Sequence, residues 1–136
     1  MNQLQLLKAA TATLALIPLA TGVLGLMGLS DPLYAPLHLP ADATLDSNLR
    51  FFGGVWLGLG LAVLWLLPRL AQQTVLFRAV WGMIFLGGLG RLLSLAMLGV
   101  PFVPFLGATV LEIVGAPLFV WWHARVVQQL AREEPK

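Results

Sequence analysis

The stretch FFGGVWLGLGLAVLWLL, residues 51–67, contains no charged side chain and no proline. With Leu49 and Arg50 before it, the stretch approaches the roughly 20 residues that a helix needs to cross a bilayer. A strand in lipid would leave its backbone groups without partners, so a stretch of this kind is predicted to be a helix. The sequence therefore predicts an all-α, integral membrane four-helix bundle, with residues 1–136 as a single transmembrane domain. The four helices are expected at about 9–29, 49–67, 79–99 and 105–123.

The composition excludes several classes of function. Of the 136 residues, 59% are hydrophobic and only 10% are charged, whereas soluble domains carry about a quarter charged residues. The net charge is +2, and the eight basic residues are scattered among apolar segments. The lipid bilayer and not a nucleic acid is therefore the expected partner. The chain has no cysteine, which excludes disulfides, thiolate ligands and cysteine nucleophiles. His38 has no acid or second histidine at metal-ligand spacing, and no metal site is expected.

Loop charges predict the orientation of the helices. The link 68–78 contains Arg69 and Arg78 and no acid, whereas the link 30–48 contains three aspartates and no lysine or arginine. The N-terminal segment contributes Lys8 and the terminal amine, and the tail contributes Arg125, Arg132 and Lys136, partly offset by Glu133 and Glu134. Both termini are therefore predicted to be cytoplasmic. A tryptophan belt at the cytoplasmic ends supports this orientation, and its members are Trp65, Trp81, Trp121 and Trp122.

The ends of the helices raise three smaller expectations. Prolines at 32, 36 and 40 forbid a long helix in the link 30–48, which is predicted to form a cap at the outer mouth. Asp46, Ser47 or Asn48 is expected to cap the second helix. Pro117 predicts a kink in the fourth helix, and His123 is interpreted as a residue of the membrane interface. The first stretch is too long for a signal peptide and is expected to be retained.

Arg91 and Glu112 are the charged residues that lie deepest in the predicted helices. Counted from the outer ends at Val100 and Phe105, they lie at similar depths of roughly 13 Å and 10 Å. The turn between the two helices is short, so the helices are expected to be antiparallel neighbours. Small residues share a face with each charge and allow close approach: Gly87, Gly88 and Ser94 near Arg91, and Ala108, Thr109, Gly115 and Ala116 near Glu112. Because an isolated charge in lipid costs at least ~3 kcal/mol, an Arg91–Glu112 ion pair is predicted.

Arg50, at the outer end of the second helix, is a third charge near this level. Its side chain could reach Glu112 or pair with Asp46, four residues earlier. Two arginines on one carboxylate would leave a positive excess that attracts an anionic head group or a carboxylate ligand. The residues leave two interpretations of Arg91 and Glu112 open, a structural lock and a ligand or proton site.

The motifs that contain these residues resemble a family. NLRFFGGVWLGLGL, GGLGRLLSLAMLGVP and LEIVGAPL are similar to segments of a bacterial membrane family, domain of unknown function 4345. The family motifs fall on Asn48, Arg50, Gly53, Gly54, Gly90, Arg91 and Glu112. The resemblance covers nearly the whole chain and implies membership of a DoxX-like group of four-helix membrane proteins, some of which are linked to quinone or thiol redox systems. Without cysteine, the thiol chemistry does not transfer to this chain.

Two functional hypotheses follow. The first is a non-enzymatic accessory or scaffold protein of the bacterial inner membrane, possessing no cofactor and acting as a homo-oligomer or in a larger complex. The alternative is a small transporter or a protein that binds a lipid, a quinone or another hydrophobic compound. Its site would include Asn48, Arg50, Arg91 and Glu112. An enzyme that uses Glu112 as acid or base is disfavoured, since no second carboxylate lies at that depth.

Overall fold

The computed structural model describes residues 2–133, and in this part of the chain all regular structure is helical. Four helices are long and apolar enough to cross a membrane, which confirms the predicted all-α class. They are α1 (Gln3–Gly25), α2 (Ala43–Leu66), α3 (Thr74–Leu98) and α4 (Val103–Glu133). Three charged groups used to predict the orientation, the terminal amine, Glu134 and Lys136, lie outside the described residues.

Each helix begins before its predicted apolar stretch, because hydropathy marks the part suited to lipid and not the polar first turns. Helix α1 ends at Gly25, four residues before its predicted bound, and α4 alone continues well past its own. The clearest early start is that of α2, which begins at Ala43. The Asp42 carboxylate caps it by accepting a hydrogen bond from the Leu45 N–H at 2.8 Å. The prediction of a cap at Asp46, Ser47 or Asn48 is therefore wrong, since all three lie inside the helix.

Helix α4 consists of two α-helical segments on either side of a π turn. The turn covers Leu111–Gly115, between Val103–Val110 and Ala116–Glu133. It ends with a hydrogen bond from the Ala116 N–H to the Leu111 carbonyl, five residues earlier. In a regular α-helix the ring of Pro117 would clash with a carbonyl of the preceding turn. The wider turn accommodates that ring. Where the sequence predicts a kink at Pro117, the structure has a π turn on its N-terminal side.

The chain forms two compact units, and residues 8–68 make up the first. Within it α1 and α2 approach closely at glycines. A Cβ on Gly22 would lie 2.5 Å from the Leu57 nitrogen, and a Cβ on Gly25 would lie 2.7 Å from the Gly53 Cα. A Cβ on Gly58, by contrast, would meet nothing within 4 Å. The contact between α1 and α2 therefore uses Gly53 and not Gly58.

Two short 3-10 turns lie between α1 and α2, at Gly28–Ser30 and Ala35–Leu37. Gly28 begins the first of them with a φ of 62°, a conformation that side chains rarely adopt. A Cβ on Gly28 would also collide with the Asp46 carboxylate. The glycine is thus required both by its backbone and by the acidic side chain packed against it.

The second unit contains residues 69–133 together with residues 2–7. An aromatic cluster joins α3 and α4: the rings of Phe77 and His123 stack at 4.2 Å, and those of Trp81 and Phe119 at 4.5 Å. Trp81 is 5% exposed and His123 is fully buried. The sequence predicts both residues at the membrane interface from their positions along the helices, and within the unit their side chains face inward. Both residues belong to the core of this unit.

Candidate functional site

Arg91 and Glu112 meet within the second unit. Arg91 lies on α3, and Glu112 is the second residue of the π turn in α4. The Arg91 Nε donates a hydrogen bond to the Glu112 Oε2 at 2.9 Å. The pair connects two helices at positions 21 residues apart in the chain, so it is a tertiary contact.

A close approach of the two helices places this pair. Gly88 precedes Arg91 by three residues and therefore shares its face of α3. A Cβ on Gly88 would lie 2.8 Å from the Glu112 Cβ and 3.0 Å from the Ile113 Cδ1. Gly87 behaves differently, because a Cβ there would meet nothing within 4 Å. Of the two neighbouring glycines, Gly88 brings the helices together and Gly87 leaves open space beside Arg91.

The two side chains of the pair differ in exposure. The Glu112 side chain is 7% exposed, whereas the Arg91 side chain is 36% exposed. The carboxylate thus lies inside the unit and the guanidinium at its surface, where its carbon atom lies 5.3 Å from the centroid of the Phe105 ring. Within residues 2–133, the N–H groups of Nη1 and Nη2 donate no hydrogen bond. The outer edge of the guanidinium is available to a group from outside the chain.

The π turn makes this region of α4 unusual. Such turns are rare and occur frequently at functional sites. A π turn contains one residue more than an α turn, so it changes the relative direction of the side chains on either side. The direction of Glu112 toward α3 therefore depends on the turn that contains it.

Arg50 forms a separate ion pair within the first unit. Its Nε donates to the Asp46 Oδ2 at 2.6 Å, and its Nη1 donates to the Leu26 carbonyl at 2.7 Å. The Asp46 Oδ1 also accepts from the Leu29 N–H at 2.9 Å. Arg50 thus pairs with Asp46, the competing partner, and each arginine has one carboxylate of its own. Asn48 lies exposed early in α2.

Comparison with protein families identifies the chain. The model of a family described as Domain of unknown function (DUF4345) matches residues 6–123. The chain belongs to the DUF4345 family. Comparison with curated proteins and with solved structures gave no match.

The DUF4345 match spans both ion pairs, and the structure explains several of the motif residues. Arg50 ties α2 to the end of α1, and Gly53 allows the two helices to touch. Arg91 reaches across to Glu112. Gly54 and Gly90 have no such close contact, because the nearest atom to a Cβ on Gly54 would be 3.6 Å away and a Cβ on Gly90 would meet nothing within 4 Å.

Sequence reasoning missed His123 as a structural residue of this DUF4345 chain. Its Nε2 lies 2.8 Å from the Leu70 carbonyl, which can only accept, so Nε2 donates the hydrogen bond. The buried Nδ1 has no hydrogen-bond partner among the described residues. The available signal was spacing: His123 lies at helical intervals from buried Ala116 and Val126.

A further concave region lies elsewhere in the second unit of this DUF4345 chain. It is an open cavity of about 480 Å³. Its lining residues are Leu4, Ala71, Gln72, Val127, Leu130, Ala131 and Glu133. None of the predicted site residues belongs to this lining.

Proposed function

We propose that this DUF4345 protein is a non-enzymatic accessory or scaffold protein of the membrane, acting as a homo-oligomer or as a subunit of a larger complex. The observation that carries the proposal is the ion pair between Glu112 and Arg91, the charged residues that lie deepest in the predicted helices. Glu112 is enclosed between α3 and α4 and bonded to Arg91, which suits a lock that fixes the two helices. A proton carrier would need a carboxylate that changes its charge freely.

Gly90, on the surface of the second unit, supplies a contact point for a partner. A Cβ on Gly90 would meet nothing within 4 Å. Small residues at the surface of a membrane helix allow another helix to approach closely, and they are enriched where such helices associate. The glycine-rich sequence of α3 thus serves an internal contact at Gly88 and leaves Gly90 for an external one.

The experiment is native mass spectrometry of protein extracted from its own membrane with a mild polymer. We expect a mass well above the 14.7 kDa of one chain. Gly90→Leu should reduce that assembly, whereas Gly107→Leu, which also fills open space but on α4, should not. A single chain under these conditions would contradict a scaffold role.

The proposal includes an orientation: both termini lie in the cytoplasm, and the membrane is the bacterial inner membrane. The loop charges described above support it. The chain has no cysteine, so single cysteines report topology without background. In intact cells, Ala41→Cys should react with an impermeant maleimide, and Gln72→Cys should react only after lysis. Both positions are exposed, and the reverse pattern would show that the orientation is inverted.

A second function is supported by the outer edge of Arg91. Donors in lipid require acceptors, and the described residues give none to Nη1 and Nη2. We infer a site for a lipid, a quinone or another hydrophobic compound, or a small transport site, at Arg91 and Glu112. Arg50 and Asn48 contribute less to this hypothesis than expected, because Arg50 is held by Asp46. The same mass spectra should then show a bound compound of low mass.

A further inference from the structure

The outer edge of the Arg91 guanidinium can be assigned a class of ligand. We propose that it binds a neutral amphiphile whose head presents a carbonyl or hydroxyl oxygen, and that an anionic head group is not its ligand. The proposal deepens the second function above and depends on it. It rests on the charge of the pair and on the space beside Arg91.

The charge of the pair favours a neutral ligand. Arg91 and Glu112 form a pair of one cation and one anion, so their sum is zero. An oxyanion bound beside them would bring an uncompensated negative charge into an apolar region, where such a charge is costly. A carbonyl or hydroxyl oxygen accepts the same hydrogen bonds without adding charge. Arg50 does not alter this balance, because its own carboxylate is Asp46.

The surface beside Arg91 provides room for the head of such a molecule. Gly87 lies four residues before Arg91 on the same face, with open space where a side chain would be. Ser94, three residues after Arg91, is small and exposed. The Phe105 ring lies near the guanidinium carbon. The head group is therefore expected between these residues, in the opening left by Gly87.

The same helix provides an apolar surface for the tail. Leu98 is 87% exposed and lies seven residues after Arg91, at the end of α3 and on the same face of the helix. A hydrocarbon chain that lies along this surface would place the oxygen at the level of Arg91. Two kinds of molecule combine a neutral oxygen-bearing head with a hydrocarbon tail: a bilayer lipid with two chains and a free compound with one chain.

The test uses two pairs of probes, and the members of each pair share their hydrocarbon chains while one has a neutral head and the other an anionic head. The first pair is dioleoylglycerol and dioleoylphosphatidate, and the second is methyl oleate and oleate. Each probe is titrated into the full chain in the same detergent, and native mass spectrometry measures the bound fraction. Gly87→Leu fills the opening next to Arg91, and Gly82→Leu is the matched control, since both glycines have open space at Cβ.

We expect a neutral probe to bind the parent chain and Gly82→Leu equally. Binding to Gly87→Leu should be weaker by about ten-fold, the effect of one lost hydrogen bond to a charged donor. The charged member of each pair should show no difference between Gly87→Leu and Gly82→Leu. Preference for dioleoylglycerol identifies a bilayer lipid as the source, and preference for methyl oleate identifies a single-chain compound.

Two outcomes would overturn the proposal. The first is neutral binding that is equal in Gly87→Leu and Gly82→Leu. The second is a charged probe that binds more tightly than its neutral counterpart and is lost in Gly87→Leu. In either case a compound that still copurifies with the parent chain would leave the second function in place. The absence of any bound compound would remove that function as well.

Discussion

Arg50 and Asp46 lie four residues apart on one helix, whereas Arg91 and Glu112 join two helices across 21 positions of sequence. The first pair also forms hydrogen bonds with the Leu26 carbonyl and the Leu29 N–H, so it stabilises the turn that follows α1. Within residues 2–133, the second pair has a single hydrogen bond, from the Arg91 Nε, and the Nη1 and Nη2 of Arg91 donate none.

The difference between the two pairs shows what the surroundings of an ion pair decide. Arg50 and Asp46 stand beside backbone groups at the end of α1 that need partners, and the pair supplies them. Arg91 and Glu112 lie away from the helix ends, where most backbone groups are bonded within their own helix. The Arg91–Glu112 pair therefore acts through packing and burial, and its stability contribution should depend on which partner is removed.

The largest effect is expected from Arg91→Met, which leaves a carboxylate in a buried site without its partner. Removing one member of a buried pair typically costs about 3–5 kcal/mol of unfolding free energy. Glu112→Gln should cost less, because the Arg91 side chain is already 36% exposed. The double variant should recover part of the loss. Unfolding in sodium dodecyl sulfate, followed by tryptophan fluorescence, measures each value.

Arg78→Met is the matched control for Arg91→Met, because it removes an exposed arginine from the same helix. Its unfolding free energy should change by no more than about 0.5 kcal/mol. Equal losses from Arg91→Met and Arg78→Met would show that the pair does not hold α3 to α4.

The next effect concerns the close contact at Gly88. Gly88→Ala should destabilise the second unit by about 1–3 kcal/mol, the usual cost of overpacking, because the new methyl group would lie 2.8 Å from the Glu112 Cβ. Gly87→Ala is the neighbouring control and should be neutral or slightly stabilising, since alanine favours helix. Thermal denaturation gives the melting temperatures of both variants, and that of Gly88→Ala should be the lower. Similar melting temperatures for the two would mean that α3 and α4 do not touch at Gly88.

Some features of the structure can be predicted from the sequence by a simple geometric rule. The number of helices follows from the length of the apolar stretches, since a bilayer fixes that length. The equal depth of Arg91 and Glu112 follows from their distances to a short turn, and the structure places Nε and Oε2 2.9 Å apart. In both cases a simple geometric rule connects sequence and position.

Other features follow from no such rule. A membrane helix is apolar on its inner and its outer face, so hydropathy does not reveal that Trp81 and His123 point inward. Whether Gly53 or Gly54 meets α1 depends on the rotation of α2, which a single sequence does not fix. The cap at Asp42 lies outside the apolar stretch altogether.

A smaller effect is expected at the pair of the first unit. Asp46→Ala removes the partner of Arg50 and the acceptor of the Leu29 N–H, so it should lower the melting temperature, but by less than Arg91→Met. Asp46→Asn keeps an acceptor for Leu29 and should lie between Asp46→Ala and the parent chain. If Asp46→Ala destabilises the protein more than Arg91→Met, the ranking of the two pairs is wrong.

The smallest change in overall stability is expected from Pro117→Ala, and it tests how the second pair is positioned. Alanine restores a backbone N–H and removes the ring, so a regular α turn can replace the π turn at Leu111–Gly115. One residue in an α-helix corresponds to a rotation of roughly 100°, which would turn Glu112 relative to the buried face at Ala116. The gain from a regular helix and the loss at the pair then offset each other.

The coupling energy between Arg91 and Glu112 separates these two contributions. In the Pro117→Ala background, the double-mutant cycle should give a coupling at least about 1 kcal/mol smaller than in the parent chain. Pro104→Ala is the control, because Pro104 lies in the first turn of α4, where proline is tolerated, and it should leave the coupling unchanged. An unchanged coupling in Pro117→Ala would mean that packing against Gly88, and not the proline, holds the π turn and aims Glu112 at Arg91.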